Sequence, residues 1–334
     1  MGGRFVWIFA SSFPKTALRR ARHGPARPTW SLSFEAAVRA LRRDWDETAD
    51  WPLDRVRADV DARPYPKKHL RKVTKRELVL GGVPAIELVP TGHTPSTGEP
   101  VILFFHGGSF IYGSTRSSHG ETLAHLATAC GLRVVSVEYR LAPEHAYPAQ
   151  REDAIAAFDA LVGEGTPASS IVVAGDSAGG NLAIELQLAL RDRGGPQAAA
   201  AVLLSPWVDL TMPGASFARN DPFDFGTREV LVRHAAAYAG GAALDDPRVS
   251  PRFADLAGLA PVFITAGEVE IPRDDIEAFA QKLRAAGVET TFHLAADMPH
   301  NAAFFADFHP SGAAVIDAVR KFVAARTSRR EAGQ

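Results

Sequence analysis

The amino-acid sequence predicts an α/β fold in which helices cover both faces of a mostly parallel, eight-stranded sheet. The main observation is that short apolar runs rich in β-branched residues alternate with helical stretches of ten or more residues, the order that produces parallel strands. The second is size, because 334 residues with 46% hydrophobic and 22% charged side chains can bury one large core or two smaller ones. Disordered, collagen-like and coiled-coil proteins are therefore excluded.

The elements follow in order along the chain. Residues 33–46 carry an apolar stripe at helical spacing, with Ser33 as the expected N-cap. Two strands lie close together around Gly81-Gly82, which predicts an antiparallel hairpin at the sheet edge. The predicted strands are RELVLGG, AIELVP, VILFF, RVVSVEY, IVVAG, AAVLLS, VFITAG and TTFHL. Further helices are predicted near 117–129, 149–163, 178–193, 273–286 and 311–326.

One segment, 207–250, interrupts this alternation. It has no strand pattern, and residues 227–239 have the pattern of a helix. An insertion of this size above the strand ends is typical of a lid that covers a site, and a longer crossover connection is the alternative.

Charge and cysteine content restrict the classes of partner. Thirty-seven basic and thirty-eight acidic residues give a net charge of −1, so no overall field favours nucleic acid or an anionic membrane. Cys130 is the single cysteine, which excludes an intrachain disulfide and a cysteine-based zinc site. The longest apolar run near the start, 5–10, is far shorter than the ~20 residues that cross a bilayer. We expect a soluble, cytoplasmic protein with no metal and no stable membrane insertion.

The start of the chain is basic and contains no acid over residues 1–30. This bias is typical of transit peptides and membrane-surface arms, although a signal peptide would need a longer apolar core. The alternative is a solvated arm, or one that packs on a cap. The basic residues are Arg4, Lys15, Arg19, Arg20, Arg22 and Arg27.

Ser177 is the candidate nucleophile. Residues 171–181 read IVVAGDSAGGN, a β-branched strand followed by a G-x-S-x-G turn and a helix. This turn holds the serine on a strained strand-to-helix elbow, and the flanking glycines avoid collisions with neighbouring backbone. The serine hydroxyl then stands at a helix N-terminus, where the helix dipole favours an oxyanion.

A second motif, HGGSF at 106–110, ends an upstream strand. It resembles the HGGG loop of esterases, whose backbone N–H groups bind an oxyanion together with the N–H after the nucleophile. The expected donors are Gly107, Gly108 and Ala178, since Ser109 replaces the third glycine. His106 is expected to brace this loop rather than transfer protons.

The general base should follow the serine in the chain, because this fold class has the order serine, acid, histidine. His234 falls in the predicted lid helix, His293 in a strand, and His309 directly before a proline. His300 remains, in a loop between a strand and a helix-forming run, where it can reach over the sheet end.

The acid is expected in the loop after the strand VFITAG. Glu268 and Glu270 are the candidates there, and Glu270 is preferred because it lies further beyond the strand and just before Pro272. Asp274 and Asp275 are interpreted as charges that complement the N-terminus of the next helix. Asp209, after the preceding strand, is an outside candidate.

Together, the motifs resemble the hormone-sensitive-lipase-like branch of α/β-hydrolases, also called bacterial lipolytic family IV. The resemblance covers residues 75–326 and supports Glu270, since the segment E-I-P occupies the family's place for the acid after the seventh strand. It implies a cap segment at 1–70, a catalytic domain at 71–326 with a cap insertion at 207–250, and a C-terminal tail at 327–334. The motifs that carry it are HGGSF, YRLAPEHAYPA (139–149), GDSAGGN, SPWVDLT (205–211) and MPH (298–300).

The resemblance implies a serine carboxylesterase that needs no cofactor and acts on a small-molecule ester with a short to medium acyl chain. A deacetylase or lactone hydrolase is the close alternative, and a homodimer is an open form of assembly. Plant gibberellin receptors are similar proteins that have lost the catalytic histidine, and His300 argues against that reading. The candidate pocket residues are Phe110, Tyr112 and Trp207, with Phe223 and Phe225 in the lid, and core packing is the alternative for each.

Overall fold

The computed structural model describes residues 2–327. Its eight strands are β1 (Val73–Leu80), β2 (Val83–Pro90), β3 (Val101–Phe105), β4 (Arg133–Val137), β5 (Ile171–Asp176), β6 (Ala200–Leu204), β7 (Val262–Gly267) and β8 (Thr290–Ala295). Its helices are α1 (Gly2–His23), α2 (Leu32–Thr48), α3 (Leu53–Asp61), α4 (Gly120–Cys130), α5 (Ala149–Gly163), α6 (Ala178–Asp192), α7 (Ser216–Arg219), α8 (Arg228–Ala239), α9 (Arg273–Ala285) and α10 (Pro310–Thr327). All but the first residue of the predicted tail at 327–334 lie outside the described residues.

The strands form one sheet in the order β1-β2-β4-β3-β5-β6-β7-β8. The β1–β2 and β2–β4 pairs are antiparallel, and every other neighbouring pair is parallel. The hairpin closes with Leu80 opposite Val83, so Gly81 and Gly82 form its turn. The predicted fold class is confirmed, including the antiparallel edge.

The core lies on both faces of this sheet. Alternate residues of β3 separate into two clusters, with Leu103 and Phe105 on one face and Ile102 and Phe104 on the other, as the two-residue period of a strand requires. Helices α5, α6 and α9 supply side chains to the first cluster, and α4 and α10 to the second. Cys130 ends α4 and is partly buried. Two-sided burial explains why the central strands are continuously apolar.

The N-terminal segment differs from its prediction. Residues expected to be a basic arm form α1, and α2 begins at Leu32, with Ser31 rather than Ser33 as N-cap. The Ser31 hydroxyl accepts the Phe34 N–H at 3.1 Å, which leaves Ser33 inside the first turn.

Three bases of α1 are matched by acids of later elements. Arg4 pairs with Asp44 of α2 at 2.6 Å, and Arg19 and Arg20 pair with the fully buried Glu35 at 2.9 and 3.0 Å. The basic bias of the segment is therefore largely an internal ion-pair pattern. No helix among residues 2–327 has the length and apolarity to cross a bilayer.

Segment 207–250 folds into α7, α8 and loops, without a strand in this described range. It contacts the N-terminal helices directly. Arg42 Nη1 donates to the Asp221 carbonyl at 2.8 Å, Arg233 lies 2.9 Å from Asp50, and the rings of Trp45 and His234 are 6.2 Å apart. The two segments thus meet above the carboxyl ends of the strands.

Candidate active site

The turn between β5 and α6 holds Ser177 in a strained conformation, with φ +52° and ψ −118°. Its glycines are required by close packing. A Cβ on Gly175 would lie 2.1 Å from the Gly179 carbonyl oxygen, and a Cβ on Gly179 would lie 1.9 Å from the Phe105 oxygen. Backbone strain at a position over-determined by its surroundings is typical of functional sites.

Ser177 opens into a cavity of about 780 Å³. His300 and Gly108 also line it, so three of the residues predicted for the triad and the oxyanion hole share one space. Most of the remaining wall is apolar, and most of it comes from residues 5–69 and from segment 207–250. Wall residues include Phe9, Leu41, Trp45, Trp51, Val56, Tyr112, Trp207, Phe225 and Leu231.

His300 and Glu270 form a close pair. The distance from His300 Nδ1 to Glu270 Oε2 is 2.6 Å, and Glu270 Oε1 accepts the Gly267 N–H at 2.7 Å. Glu270 is fully buried, whereas the His300 side chain keeps 17% exposure. Among the described residues no group hydrogen-bonds to His300 Nε2, which leaves that nitrogen for a molecule in the cavity.

The electrostatics of the pair support a basic imidazole. Burial lowers the pKa of His300, but the hydrogen bond and charge of Glu270 outweigh it, so the pKa lies above its ordinary value of 6.5. Burial raises the pKa of Glu270, and His300 opposes that rise. The ionised form of the Glu270 carboxylate is therefore stabilised by His300 and by the Gly267 N–H.

The other acid candidates are occupied elsewhere. Glu268 Oε2 accepts the Asp297 N–H at 2.8 Å, Asp274 pairs with Arg219 at 2.6 Å, and Asp209 Oδ1 accepts from Thr211. None of the three contacts His300 through a hydrogen bond.

The remaining histidine candidates do not pair with an acid in the cavity. His309 Nε2 lies 3.1 Å from Thr29 Oγ1, and His293 sits on β8 beside Phe263. His234 lines the cavity but contacts the rings of Trp45 and Tyr112.

The HGGSF loop differs from the prediction at one position. The Gly107 N–H donates to Asp176 Oδ1 at 2.8 Å, so it is already engaged, which argues against the predicted role of Gly107 as an oxyanion donor. Gly108 and Ser109 line the cavity, and no acceptor in residues 2–327 binds either N–H. Gly108 has φ +110°, and a Cβ there would lie 1.9 Å from the Tyr112 carbonyl oxygen.

Residues 102–304 match the model of the family described as the alpha/beta hydrolase fold. The chain belongs to this α/β-hydrolase family. An acetyl-hydrolase of Streptomyces hygroscopicus is 36% identical over 74% of this chain and 85% of its own length. The carboxylic ester hydrolase LipN of Mycobacterium tuberculosis is 35% identical over 73% of this chain and 68% of its own length.

Solved structures agree with this assignment. A crystal structure of an esterase from the bacterial hormone-sensitive lipase family has 31% identity and a TM-score of 0.75, covering 98% of this chain and 99% of that one. A hormone-sensitive lipase from a metagenome library has 34% identity and a TM-score of 0.77, covering 86% and 97%. The predicted branch of the α/β-hydrolases is confirmed, and with it the class of carboxylic ester hydrolases.

Sequence reasoning missed two buried carboxylates of this α/β-hydrolase. The first is Asp176, next to Ser177. Besides the Gly107 N–H it contacts His119 Nε2 at 3.2 Å and accepts from Asn301 Nδ2 at 2.9 Å. One side chain therefore connects the HGGSF loop, the elbow and the loop that carries His300. Its position within the GDSAGGN motif was the available signal.

The second is Asp224, in segment 207–250. Asp224 Oδ2 accepts the Ile271 N–H at 2.8 Å, and Oδ1 accepts the N–H of Phe225 at 2.8 Å and of His300 at 3.1 Å. Burial raises its pKa, although the charge of His300 opposes the rise. Asp224 therefore connects the loop that carries Glu270 and the loop that carries His300 to segment 207–250. No sequence motif marks it.

The aromatic predictions are resolved individually. Tyr112 and Trp207 line the cavity. Phe110 was predicted for the pocket, but it is fully buried in the core, where its ring stacks on Tyr238 with centroids 3.6 Å apart. Phe225 lies in the cavity wall with its ring 6.0 Å from His300. His106 stacks on Tyr139, whose hydroxyl donates to the His106 carbonyl at 2.6 Å.

Three metal-ligating side chains also meet in the cavity wall, with ligating atoms of His69, His125 and Asp307 within 4.8 Å of one another. The two imidazoles are stacked, with centroids 3.8 Å apart and planes 8° apart. Because ring lone pairs lie in the ring plane, parallel rings cannot both direct a nitrogen at one ion at about 2.0 Å. His69 Nε2 instead pairs with Asp307 at 3.1 Å, beside Lys68. The cluster is interpreted as an ion pair.

Proposed function

We propose that this chain is a serine carboxylesterase in which Ser177, His300 and Glu270 form the catalytic triad. The observation that carries the proposal is the 2.6 Å contact between His300 Nδ1 and buried Glu270, because His300 and the strained Ser177 line the same cavity. A serine needs such a base, and the base needs an acid that fixes its tautomer and stabilises its cation.

The reaction proceeds in two acyl-transfer steps. Ser177 Oγ attacks the ester carbonyl, while His300 Nε2 takes the hydroxyl proton and then delivers it to the leaving alcohol. Water then attacks the acyl-enzyme, with His300 again as the base, and the carboxylic acid leaves as Ser177 recovers its proton. Glu270 stays ionised throughout and holds Nδ1–H.

Backbone N–H groups bind the oxyanion in this proposal. Gly108 and Ser109 line the cavity, and their N–H groups have no acceptor among residues 2–327. Ala178 is the first residue of α6, where an N–H has no partner within the helix. Gly107 acts indirectly, since its bond to Asp176 holds the loop in place. Each such donor contributes about 3–4 kcal/mol to the transition state.

The substrate class follows from the cavity. A volume of about 780 Å³ with a mostly apolar wall exceeds what an acetyl group fills, and it suits short to medium acyl chains. The cap in this proposal comprises residues 1–70 and 207–250, which supply most of that wall and meet through Arg42 and Asp221.

A deacetylase is the second candidate, because one of the relatives is named an acetyl-hydrolase. The two candidates differ in which side of the ester fills the apolar cavity. In a deacetylase the large group is the alcohol, and in the first proposal it is the acyl chain.

The test is hydrolysis of p-nitrophenyl esters of graded chain length, together with acetyl esters of alcohols of increasing size. We expect kcat/KM to rise from acetate to a short or medium acyl chain and then fall. A maximum at acetate combined with a gain from larger alcohols would assign the deacetylase, and no hydrolysis of any ester would reject both.

A further inference from the structure

Helix α1 has two apolar faces. One packs inward through Ile8, which is fully buried. The other comprises Val6, Trp7, Phe9, Phe13 and Leu18, here called the outer face, and these side chains are 38–60% exposed. At about 100° per residue they fall within one half of the helix circumference. The positions between them on that half are Ala10, Pro14 and Ala17, so the outer face contains no polar side chain.

A face of this kind is unusual on a protein in water. Monomers rarely leave a contiguous patch of large apolar side chains uncovered, and such patches mark sites of interaction. The outer face continues into the cavity wall through Phe9, which is both exposed and part of that wall.

Charge identifies the kind of partner. Residues 2–34 contain no acid, and the exposed Lys15 and Arg22 border the outer face on the side of Trp7 and Leu18. Within residues 2–327 neither base has an acidic partner, unlike Arg4, Arg19 and Arg20. Free bases beside an apolar, aromatic helix face match a surface that is apolar below and anionic above.

We propose that the outer face of α1 docks the protein on the surface of an anionic lipid bilayer. The helix lies in the interfacial plane, with Trp7 and Phe13 at the level of the headgroups and Lys15 and Arg22 beside phosphates. A second copy of the chain fits less well. A two-fold pairing of α1 would bring two faces together that carry bases and no acid.

Docking in this orientation turns the side of the cavity that contains Phe9 toward the lipid. Esters dissolved in the bilayer would then be the accessible substrates. This consequence rests on the proposed esterase function, whereas the docking itself does not.

The experiment is vesicle co-sedimentation of the full chain. Vesicles of phosphatidylcholine alone are compared with vesicles that also contain phosphatidylglycerol, at low and high salt. We expect binding to the anionic vesicles, weakened by salt. The triple variant Trp7→Ser, Phe13→Ser and Leu18→Ser should lose at least about tenfold in partition coefficient, because interfacial binding scales with buried apolar area. Lys15→Glu with Arg22→Glu should remove the preference for anionic lipid.

Matched variants control for general effects. Val79→Ser, Phe253→Ser and Leu294→Ser remove three exposed apolar side chains elsewhere, and Lys67→Glu with Lys75→Glu reverses two other exposed charges; both should bind like the wild type. Circular dichroism, and hydrolysis of a dissolved short-chain ester in the absence of vesicles, check that every variant is folded. Failure of the wild type to bind anionic vesicles, or equal binding by the triple variant, would overturn the proposal. A dimer in sedimentation velocity that only the triple variant abolishes, without vesicle binding, would assign the face to a second copy.

Discussion

The loops that carry Ser177, Glu270 and His300 differ from the N-terminal helices in how their positions are fixed. Buried carboxylates hold the loops through backbone N–H groups, with Asp176 and Asp224 each binding more than one segment. The N-terminal helices are joined to the rest of the chain in two ways: Phe34 and Val38 of α2 pack in the buried core on one face of the sheet, and several arginine pairs have exposed acidic partners. These pairs are Arg42–Asp221, Arg57–Glu144 and Arg233–Asp50.

This difference in how the loops and the helices are held indicates two different roles. Exposed ion pairs contribute ~0–1 kcal/mol each, so the helices can lose these pairs at small cost, whereas breaking a buried carboxylate network costs several times more. In the proposed mechanism the loops therefore determine the chemistry, and the helices determine access to it. Substitutions in the two regions should affect different kinetic parameters.

The largest expected effect is that of Ser177→Ala. Loss of the nucleophile should lower kcat on the order of 10⁶-fold, because members of a triad act as a unit. The fold should persist, since the hydroxyl makes no packing contact that the methyl group loses. Ester hydrolysis by protein free of contaminating esterase is the measurement. Turnover above about a thousandth of the wild type would exclude Ser177 as the nucleophile.

Next in size is Glu270→Ala, with an expected loss of at least about a hundredfold in kcat as the imidazole loses its orienting partner. Glu268→Ala and Asp209→Ala are the matched controls and should stay within about tenfold, because their hydrogen bonds are made elsewhere. If either control loses more activity than Glu270→Ala, the acid has been assigned to the wrong residue.

The same pair predicts a pH dependence. The base must be neutral, and the pKa of His300 is raised above 6.5, so kcat/KM should fall as pH decreases through a value above 6.5. Glu270→Gln removes the charge that raises the pKa, and the acid limb of its residual activity should move to lower pH. A limb that stays in place in this variant would mean that another group titrates.

Asp224 provides a finer test of the loop region. Asp224→Asn should lower kcat by about tenfold with little change in KM. Asparagine keeps one acceptor oxygen, so the N–H of either Ile271 or His300 loses its partner, and small misplacements of a catalytic group are costly. The substitution should also move the acid limb to lower pH, which a merely structural loss would not do. Asp221→Asn, an exposed neighbour in the same segment, is the control and should leave both unchanged.

The smallest effects on turnover are expected in the N-terminal helices. Leu41→Trp narrows the cavity and should shift preference toward shorter acyl chains, by about tenfold or less in relative kcat/KM. Asp46→Ala, exposed on the same helix, should not change the ester profile. Deletion of residues 1–45 should lower activity and alter chain-length preference without removing the triad. Unchanged kinetics across the ester series in both variants would show that these helices are not part of the substrate site.

The two regions also differ in how far the sequence predicts them. All eight strands were predicted, because continuous apolar runs between helices have one common solution. The elbow at Ser177 could be recognised in the sequence because only glycine fits at positions 175 and 179. The role of Gly107 could not be predicted, because its N–H donates to a residue 69 positions away in the sequence.

The N-terminal helices lacked such signals. Helix α1 was not predicted because apolar residues on two of its faces give no single amphipathic stripe. Several of its bases pair with acids of later elements, and the local sequence does not reveal those partners. Asp224 was missed for a similar reason, since its partners are backbone N–H groups that carry no residue identity.

Cys130 has a practical consequence for experiments with the native protein. Burial raises the pKa of its thiol to about 12, so at neutral pH almost no thiolate is present. A serine-directed phosphonate therefore meets no competing cysteine in the described chain, and its incorporated stoichiometry counts competent active sites. Conversely, a thiol-specific dye should react slowly with the folded protein and faster once α4 separates from the sheet. Its fluorescence then follows unfolding, while the phosphonate follows the integrity of the site.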